Sequence, residues 1–233
     1  GDVYKRQELI LKKMRIEWLV KNNTDQVVVF FNGWGMDKRT FPRLEGEMDK
    51  IVCWDYRTLN TDSTPSFIGY KKINVVAWSM GVWAAANILP EWGIQPGHLV
   101  AFNGTERPVD NRWGIPSPVY LLTEKRMNEK GREKFFSRMF TCQKEQEEFF
   151  SCRPERELAG QIQELQAIRT QCEKYQHTLE WERAYVSEKD LIFPVENQQN
   201  WWEKRGVPTE SLPTAHYPFY FFRTWEDIWK SKD

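Results

Sequence analysis

The segment Ile73–Gly81, INVVAWSMG, decides the fold of this 233-residue chain. Apart from Asn74, the residues before the serine are apolar, as in a strand that is buried on both faces. Ser79 follows at once, and Met80–Leu89 is rich in helix formers and predicted to end before Pro90. A strand that passes directly into a helix through a serine is typical of a nucleophile elbow, which lifts the hydroxyl above the edge of the sheet.

The residues two places before and after Ser79 must be small, because the strand and the helix approach each other closely there. Ala77 and Gly81 meet this requirement, although the usual pattern is G-x-S-x-G and Ala77 adds one methyl group. A serine that only caps a helix is the alternative interpretation of the pentapeptide. Signals elsewhere in the chain therefore have to decide between the two.

Strands and helices alternate through the first half of the chain and again near its end. Apolar runs predict strands at Met14–Val20 (an edge strand), Gln26–Phe31, Ile51–Tyr56, Ile73–Trp78, Leu99–Phe102 and Trp181–Val186. Helices are predicted at Thr40–Met48 and from Pro194 to Trp202. This alternation favours a mostly parallel central sheet with helices on both faces, which together with the elbow predicts an α/β-hydrolase fold.

After about Pro118 the sequence becomes charged and helix-favouring, without a convincing strand. Arg126–Phe140 and Glu157–Tyr175 are predicted amphipathic helices. We therefore expect one α/β-hydrolase domain over the whole chain, with a helical lid insertion at 119–178. The first seven residues are polar and unpatterned, and we expect them to be a non-native or disordered start.

A serine that takes part in acyl transfer also needs backbone N–H groups that point at the developing oxyanion. Met80, at the start of the helix after the serine, is the first predicted donor. The second is expected after the strand QVVVFF, where the N–H of Trp34 is placed between two glycines. Gly33 and Gly35 let the backbone turn sharply and approach the substrate. An ordinary glycine turn is the alternative.

In this fold the catalytic residues follow one another in the order serine, acid, histidine. Asp110 and Asp190 are the only aspartates between Ser79 and His216. Asp190 follows the last predicted strand, where a carboxylate would orient the imidazole and stabilise its cation. Asp110 follows the wrong strand and precedes the insertion. Asp190 is therefore the predicted acid, and Glu188 is its alternative.

His216 lies near the C-terminus in Pro213–Phe219, PTAHYPF, a loop shaped by proline and small residues. His98 begins a strand at the wrong edge of the sheet, and His177 precedes the predicted acid, so both are poorer candidates for the base. The elbow, the glycine loop, the late aspartate and this histidine fall in the required order. Together they predict a serine hydrolase.

Composition excludes several other classes of function. The formal net charge is +0, so no global field draws the protein to nucleic acid or to a membrane surface. No apolar run approaches the roughly 20 residues that span a bilayer, and the N-terminus lacks a signal-peptide pattern. The four cysteines form no C-x-x-C pair, and the three histidines give no zinc spacing. We expect a cytoplasmic protein with reduced thiols and no metal.

Two motifs resemble a known family. Phe31–Asp37 (FNGWGMD) and Ala77–Trp83 (AWSMGVW) are similar to the BioG-type pimeloyl-[acyl-carrier protein] methyl ester esterases, and the resemblance covers nearly the whole chain after the N-terminal stretch. It implies that the methyl ester is hydrolysed to the free acid and methanol in biotin synthesis, without a cofactor. Carried over by position, it implies Ser79 as nucleophile, Asp190 as acid, His216 as base, and Trp34 and Met80 as oxyanion donors.

The resemblance also implies an acidic carrier protein as partner of an enzyme that we expect to be a monomer. We expect the acyl chain to lie between the sheet edge and the insertion, against Phe135, Phe136 and Phe140. The window Lys125–Arg138 contains six basic and two acidic residues and would border the mouth of the active site. A solvated helix face is the alternative for such a window. The predicted docking residues are Arg126, Lys130, Arg132 and Arg138.

Two other functions stay open from the sequence. One is a general short-chain carboxylesterase or thioesterase with the same triad, which would show no preference for a carrier-bound pimeloyl ester. The other is a catalytically silent binding protein of the hydrolase fold, in which Ser79 would not react with a fluorophosphonate probe. In some bacteria an esterase of this type is fused to the methyltransferase of the pathway, and we expect this chain to be the esterase alone.

Overall fold

A computed structural model describes residues 13–61 and 63–230 of the protein. Within them, seven strands form one sheet in the order β1-β3-β2-β4-β5-β6-β7. In chain order the strands are β1 Arg15–Val20, β2 Gln26–Phe31, β3 Asp49–Trp54, β4 Lys72–Trp78, β5 His98–Phe102, β6 Arg183–Ser187 and β7 Thr209–Leu212. Only β1 runs antiparallel to its neighbour, and the other pairs are parallel. The mostly parallel sheet predicted from the sequence is therefore confirmed.

The α-helices of the described residues are α1 Met80–Trp92, α2 Ser117–Arg126, α3 Glu129–Ser137, α4 Gln143–Ser151, α5 Leu158–Gln171, α6 Val195–Arg205 and α7 Glu226–Trp229. Helices α2 to α5 all lie between β5 and β6, and we call residues 117–171 the helical insertion. They fall in or next to the segment 119–178 in which an insertion was expected. The predicted non-native start, residues 1–7, lies outside the described residues.

The centre of the sheet is buried on both faces. Val27–Phe31 of β2 and Val75–Trp78 of β4 have almost no exposed surface, as expected for parallel strands covered by helices. Helix α1 packs behind them and is itself buried along nearly its whole length. The elbow between β4 and α1 is therefore held by packing on every side.

The predicted helix Thr40–Met48 is wrong. Only a single 3₁₀ turn, Lys38–Thr40, forms there. The backbone of the following segment is hydrogen-bonded to the C-terminal segment instead of forming a helix. Glu45 N donates to Arg223 O at 3.0 Å, and Trp225 N donates to Glu45 O at 3.1 Å. Backbone groups that a helix would have satisfied locally are satisfied by residues at the far end of the chain.

Two helix boundaries also differ from the prediction. Helix α1 continues through Pro90, which lies in its last turn, and ends before Gly93, whose φ of 62° is the left-handed geometry of a helix terminus. The predicted helix Arg126–Phe140 is divided between α2 and α3. The division falls at Asn128, whose Oδ1 accepts a hydrogen bond from Gly131 N at 2.8 Å and caps α3.

Candidate active site

Ser79 occupies a sharp turn with φ 57° and ψ −125°, a conformation that is rare for any residue other than glycine. Its N–H donates to Phe102 O on β5 at 2.9 Å. A Cβ atom added to Gly81 would lie 2.2 Å from Phe31 O, and one added to Gly104 would lie 2.3 Å from Ser79 O. Close backbone packing from both sides therefore holds the serine in its strained turn, with its hydroxyl at the carboxyl edge of the sheet.

The three residues selected from the sequence as a triad lie in hydrogen-bond contact. Ser79 Oγ is 3.0 Å from His216 Nε2, and His216 Nδ1 is 2.9 Å from Asp190 Oδ2. All three residues are buried. The arrangement can move a proton from the hydroxyl to the imidazole while the carboxylate holds the ring in place.

The carboxylate of Asp190 is held by more than the histidine. Its Oδ1 accepts hydrogen bonds from Ile192 N and Phe193 N, both at 2.8 Å. Its Oδ2 also accepts one from Gln198 Nε2 on α6, at 3.1 Å. Gln198 has no exposed surface, and nothing in the sequence pointed to it. These bonds fix the direction of the carboxylate.

The rejected candidates lie away from this contact chain. Asp110 accepts hydrogen bonds from two backbone N–H groups of its own turn. Glu188 is exposed and accepts a hydrogen bond from a serine of β7. His98 pairs with Glu182, Nδ1 to Oε2 at 2.8 Å, and His177 is exposed. None of the four candidates is hydrogen-bonded to the serine or to the late histidine in the described part of the chain.

Asn103, the residue directly after β5, connects the loops of the site. Its Nδ2 donates to His216 O and to Ser187 Oγ, both at 2.8 Å, and its Oδ1 accepts from Ser187 N at 2.8 Å. Trp78 Nε1 also donates to His216 O, at 2.8 Å. The sequence feature that could have predicted this role is the Asn-Gly pair directly after β5, at the edge of the sheet where ligands bind in parallel sheets.

The two predicted oxyanion donors flank the serine. Trp34 and Met80 line the same cleft as Ser79. Met80 is the first residue of α1, so its N–H has no partner within the helix. Within the described residues, neither backbone N–H is hydrogen-bonded to a protein acceptor. Both are thus available to a negatively charged oxygen.

Gly33 and Gly35 do not line the cleft, so the expectation that they contact substrate is wrong. A Cβ atom on Gly33 would lie 2.8 Å from the Trp78 ring. Gly35 has φ 74°, and its backbone is hydrogen-bonded to side chains of α5. The glycines therefore shape the loop that presents Trp34, as their conformational freedom allows.

A cleft opens over Ser79 between the sheet edge and the insertion. Apolar side chains form most of its wall, including Met36, Ile115, Tyr120, Met139, Leu165 and Ile192. Val119 and Leu191 also line it and are 52% and 61% exposed, so they mark its mouth.

Of the three phenylalanines expected to contact an acyl chain, only Phe135 lines the cleft. Phe136 and Phe140 are buried inside the insertion and pack against Phe149, with ring centroids 5.9 Å and 5.1 Å away. The expectation for these two residues is wrong. Helical spacing predicted an apolar face but could not say which part of it packs on a neighbouring helix.

The four predicted docking residues divide into two groups. Arg126, Lys130 and Arg138 are exposed, and Arg138 lines the cleft. Arg132 turns inward, where its Nη1 donates to Gln161 Oε1 at 3.0 Å. The expectation that Arg132 docks a partner is therefore wrong, since its guanidinium is occupied inside the insertion.

In residues 13–61 and 63–230, no cluster of three or more His, Cys, Asp or Glu side chains could hold a metal ion. Every helix in this part of the chain is too short or too polar to cross a bilayer. All four cysteines are unpaired.

A mostly parallel sheet with a strained serine between strand and helix, joined to a histidine and an aspartate from later loops, defines an α/β hydrolase. The crystal structure of BioG from Haemophilus influenzae matches with a TM-score of 0.83 and 29% identity, over 93% of this chain and 100% of that one. A lipase-esterase related protein from Clostridium acetobutylicum matches with a TM-score of 0.60 and 13% identity, over 89% and 93% of the two chains, which shows the fold.

The chain belongs to the BioG family, since the family model described as pimeloyl-ACP methyl esterase BioG matches residues 14–228. The resemblance predicted from two motifs is confirmed. A malonyl-[acyl-carrier protein] O-methyltransferase of Bacteroides fragilis is 38% identical over 194 residues, 82% of this chain and 39% of that protein. The chain thus spans about two fifths of the length of this relative.

Proposed function

We propose that this chain is a serine esterase that hydrolyses the methyl ester of pimeloyl-[acyl-carrier protein]. The observation that carries the proposal is the hydrogen-bonded chain from Ser79 through His216 to Asp190, facing an apolar cleft in a member of the BioG family. The products are the free carboxylic acid, still attached to its carrier, and methanol.

In the first half of the reaction, Ser79 Oγ attacks the ester carbonyl carbon while His216 Nε2 accepts the hydroxyl proton. The carbonyl oxygen becomes an oxyanion that accepts hydrogen bonds from the backbone N–H groups of Trp34 and Met80. Asp190 stabilises the imidazolium that forms. The imidazolium then protonates the leaving methoxide, methanol departs, and the pimeloyl group remains esterified to the serine.

In the second half, water takes the place that methanol has left. His216 accepts a proton from this water as its oxygen attacks the acyl-serine carbonyl, and the same two N–H groups stabilise the second oxyanion. When the tetrahedral intermediate collapses, Ser79 leaves and recovers its proton from the imidazolium. One ester and one water give one acid and one methanol, so the reaction needs no cofactor.

The apolar wall of the cleft suits a chain of methylene groups. Each methylene that moves from water into such a wall contributes about 0.8 kcal/mol to binding. With the methyl ester end at Ser79, the chain would run toward the mouth between Val119 and Leu191, which line the cleft. In this orientation the carrier protein stays outside, and only its prosthetic arm enters.

The proposed docking surface for the carrier consists of Arg126, Lys130 and Arg138. All three side chains are exposed on the insertion, and Arg138 lines the cleft. A basic rim would attract an acidic carrier and would mainly accelerate the encounter. This surface is the predicted one without Arg132.

The O-methyltransferase of B. fragilis adds support for the substrate. Part of that protein is similar to this chain, and its name describes a reaction that would install a methyl ester on a malonyl-carrier protein. A methyl ester placed on a carrier-bound acid has to be removed once the chain is complete. An esterase of the kind proposed here would perform that removal.

The proposal is tested by incubating the purified protein with pimeloyl-[acyl-carrier protein] methyl ester and measuring the free acid by mass spectrometry. We expect hydrolysis, loss of hydrolysis in Ser79→Ala, and growth of a biotin-requiring strain that lacks its own pimeloyl esterase. Equal efficiency on short free esters would indicate a general carboxylesterase. A protein whose Ser79 does not react with a fluorophosphonate probe would be a binding protein instead.

A further inference from the structure

The loop that presents the Trp34 N–H is held from outside the sheet by helix α5 of the insertion. We call this loop, Asn32–Asp37, the oxyanion loop. Trp34 Nε1 donates to Gln161 O at 2.8 Å, Gln161 Nε2 donates to Gly35 O at 2.9 Å, and Gly35 N donates to a side-chain oxygen of α5 at 3.3 Å. That oxygen is Glu164 Oε2. Gln161 and Glu164 have no exposed surface and lie three residues apart, on one face of α5.

Glu164 belongs to a buried ion cluster that reaches the same loop. Arg156 Nη1 donates to Glu164 Oε2 and also lies 3.4 Å from Met36 O. Arg156 Nη2 is 3.1 Å from Asp55 Oδ1, and Glu164 Oε1 accepts a hydrogen bond from Tyr56 N at 3.1 Å. Burial raises the pKa of the Glu164 carboxyl, and the Arg156 guanidinium opposes that shift. Each charge therefore depends on its partners, and the cluster has one favourable geometry.

The remaining attachments fix the two ends of the oxyanion loop. On the sheet side, Tyr56 Oη donates to Asn32 O at 2.6 Å. On the insertion side, Glu155 N donates to Asp37 Oδ2 at 2.8 Å. The peptide that carries the Trp34 N–H thus lies between fixed points, with Gly35 held at both its N–H and its C=O. The Trp34 N–H, which would face an oxyanion, has no partner among the described residues.

We propose that Gln161 and Glu164 are positioning residues that direct the Trp34 N–H at the oxyanion, so that the insertion completes the active site as well as covering it. This inference rests on the proposed function. If the loop were loosened, the Trp34 N–H could turn away from the oxyanion. This N–H stabilises the transition state more than the bound ester, because the negative charge on the oxygen forms only during the reaction. The loss would therefore appear in kcat and hardly in KM.

The experiment compares Gln161→Met and Glu164→Gln with a matched control, Glu106→Gln. Glu106 is another fully buried carboxylate, which accepts hydrogen bonds from Leu179 N at 2.6 Å and Trp181 Nε1 at 2.8 Å beyond the end of α5. It makes no hydrogen bond to the oxyanion loop. All proteins are assayed on p-nitrophenyl butyrate, which needs no carrier, and their thermal unfolding is recorded.

We expect kcat to fall about 10–100-fold in Gln161→Met and in Glu164→Gln, while KM changes less than about threefold. This loss is smaller than the one caused by removing an oxyanion donor completely, because the Trp34 N–H is displaced and not deleted. The inhibition constant of a trifluoromethyl ketone, which forms a tetrahedral adduct with the serine, should rise by a similar factor. If the two residues had only a structural role, the inhibition constant and KM would change by the same factor. In Glu106→Gln, kcat, KM and the inhibition constant should stay within about threefold of the wild type.

Unchanged kcat and ketone affinity in folded Gln161→Met and Glu164→Gln would overturn the proposal. So would equal losses in Glu106→Gln. If Glu164→Gln does not fold, Gln161→Met decides alone, because it leaves the ion cluster in place. Turnover by the wild type tests the proposed function, whereas the ratio between variants tests this inference, so the two failures are distinguishable.

Discussion

The Asp190→Asn variant should fold like the wild type and lose most of its turnover. The amide has the shape of the carboxylate, and its oxygen would still accept the N–H groups of Ile192 and Phe193, which lie 2.8 Å from Asp190 Oδ1. The atom that faces His216 Nδ1 would become an amide nitrogen, which is a donor. His216 would then carry its proton on Nε2, and it could no longer accept the proton of Ser79.

We expect kcat to fall by about 10²–10⁴, the range for a triad whose histidine is held in the wrong tautomer. This loss corresponds to about 2.7–5.5 kcal/mol of transition-state stabilisation. The structural cost comes from Gln198. Its Nε2 donates to Asp190 Oδ2 at 3.1 Å and to Phe193 O at 2.8 Å, so the bond to Phe193 would keep it in place while it loses the acceptor at position 190. The loss of one buried hydrogen bond should cost about 1–3 kcal/mol and leave the variant folded.

The assay measures kcat and KM on p-nitrophenyl butyrate, with circular dichroism and thermal unfolding as checks on the fold. Asp110→Asn is the matched control, because among the described residues Asp110 accepts side-chain hydrogen bonds only from its own turn. It should keep its turnover. Near-native activity in Asp190→Asn would refute the assignment of the acid. A large loss confined to Asp110→Asn would transfer that role to Asp110.

Four other changes test separate parts of the molecule. Ser79→Ala should lose hydrolysis by several orders of magnitude and lose fluorophosphonate labelling without unfolding; near-native turnover would contradict the mechanism. Gly81→Ala should lower the free energy of unfolding by about 1–3 kcal/mol or more, because its Cβ would overlap a backbone oxygen of β2; an unchanged urea midpoint would exclude this. Reversing Arg126 and Lys130 to glutamate should raise KM for the carrier-linked ester, more at low salt than at high, and leave a small free ester unaffected; equal losses on both esters would rule out docking. Burial raises the pKa of Glu106, so this carboxyl should contribute a loss of stability as the pH rises from the ordinary glutamate pKa of about 4.3 through its raised pKa in the folded protein, and no further change above it. Urea titrations across acidic and neutral pH should show a weaker loss in Glu106→Gln, and parallel pH profiles would contradict this reasoning.

The elbow could be predicted because its determinants are adjacent in the sequence. A buried strand, Ser79 and the small residues Ala77 and Gly81 lie within one short segment, and each has a local physical reason. His216 and Asp190 could be predicted because the fold fixes their order along the chain, although the histidine lies 137 positions from the serine. The order of the residues along the chain thus allowed the triad to be predicted without any knowledge of the distances between them.

What the sequence could not predict depends on contacts between distant segments. Strand β7, with the sequence TESL, is short and polar, and it is a strand because it pairs with β6. Phe135 and Phe136 are neighbours on α3, yet only Phe135 lines the cleft. Arg132 was expected at the surface, and it binds a glutamine of α5 instead. In each case the deciding partner lies on another element, and no periodicity reveals it.

The site is assembled from loops that leave the same edge of the sheet. Parallel strands about 4.8 Å apart bring together the loops after β2, β4, β6 and β7, which carry the proposed oxyanion donor, nucleophile, acid and base. Each loop has an anchor that performs no chemistry: Asn103 ties the loops after β6 and β7, and close glycine contacts hold the serine. The loop after β2 differs, since Tyr56 holds its start from the sheet side while Gln161 and Glu164 of the insertion hold its centre. If the insertion only covered the cleft, another helical segment could replace it without loss of activity. Under the proposal made here, a replacement would also have to restore the two buried contacts to the oxyanion loop.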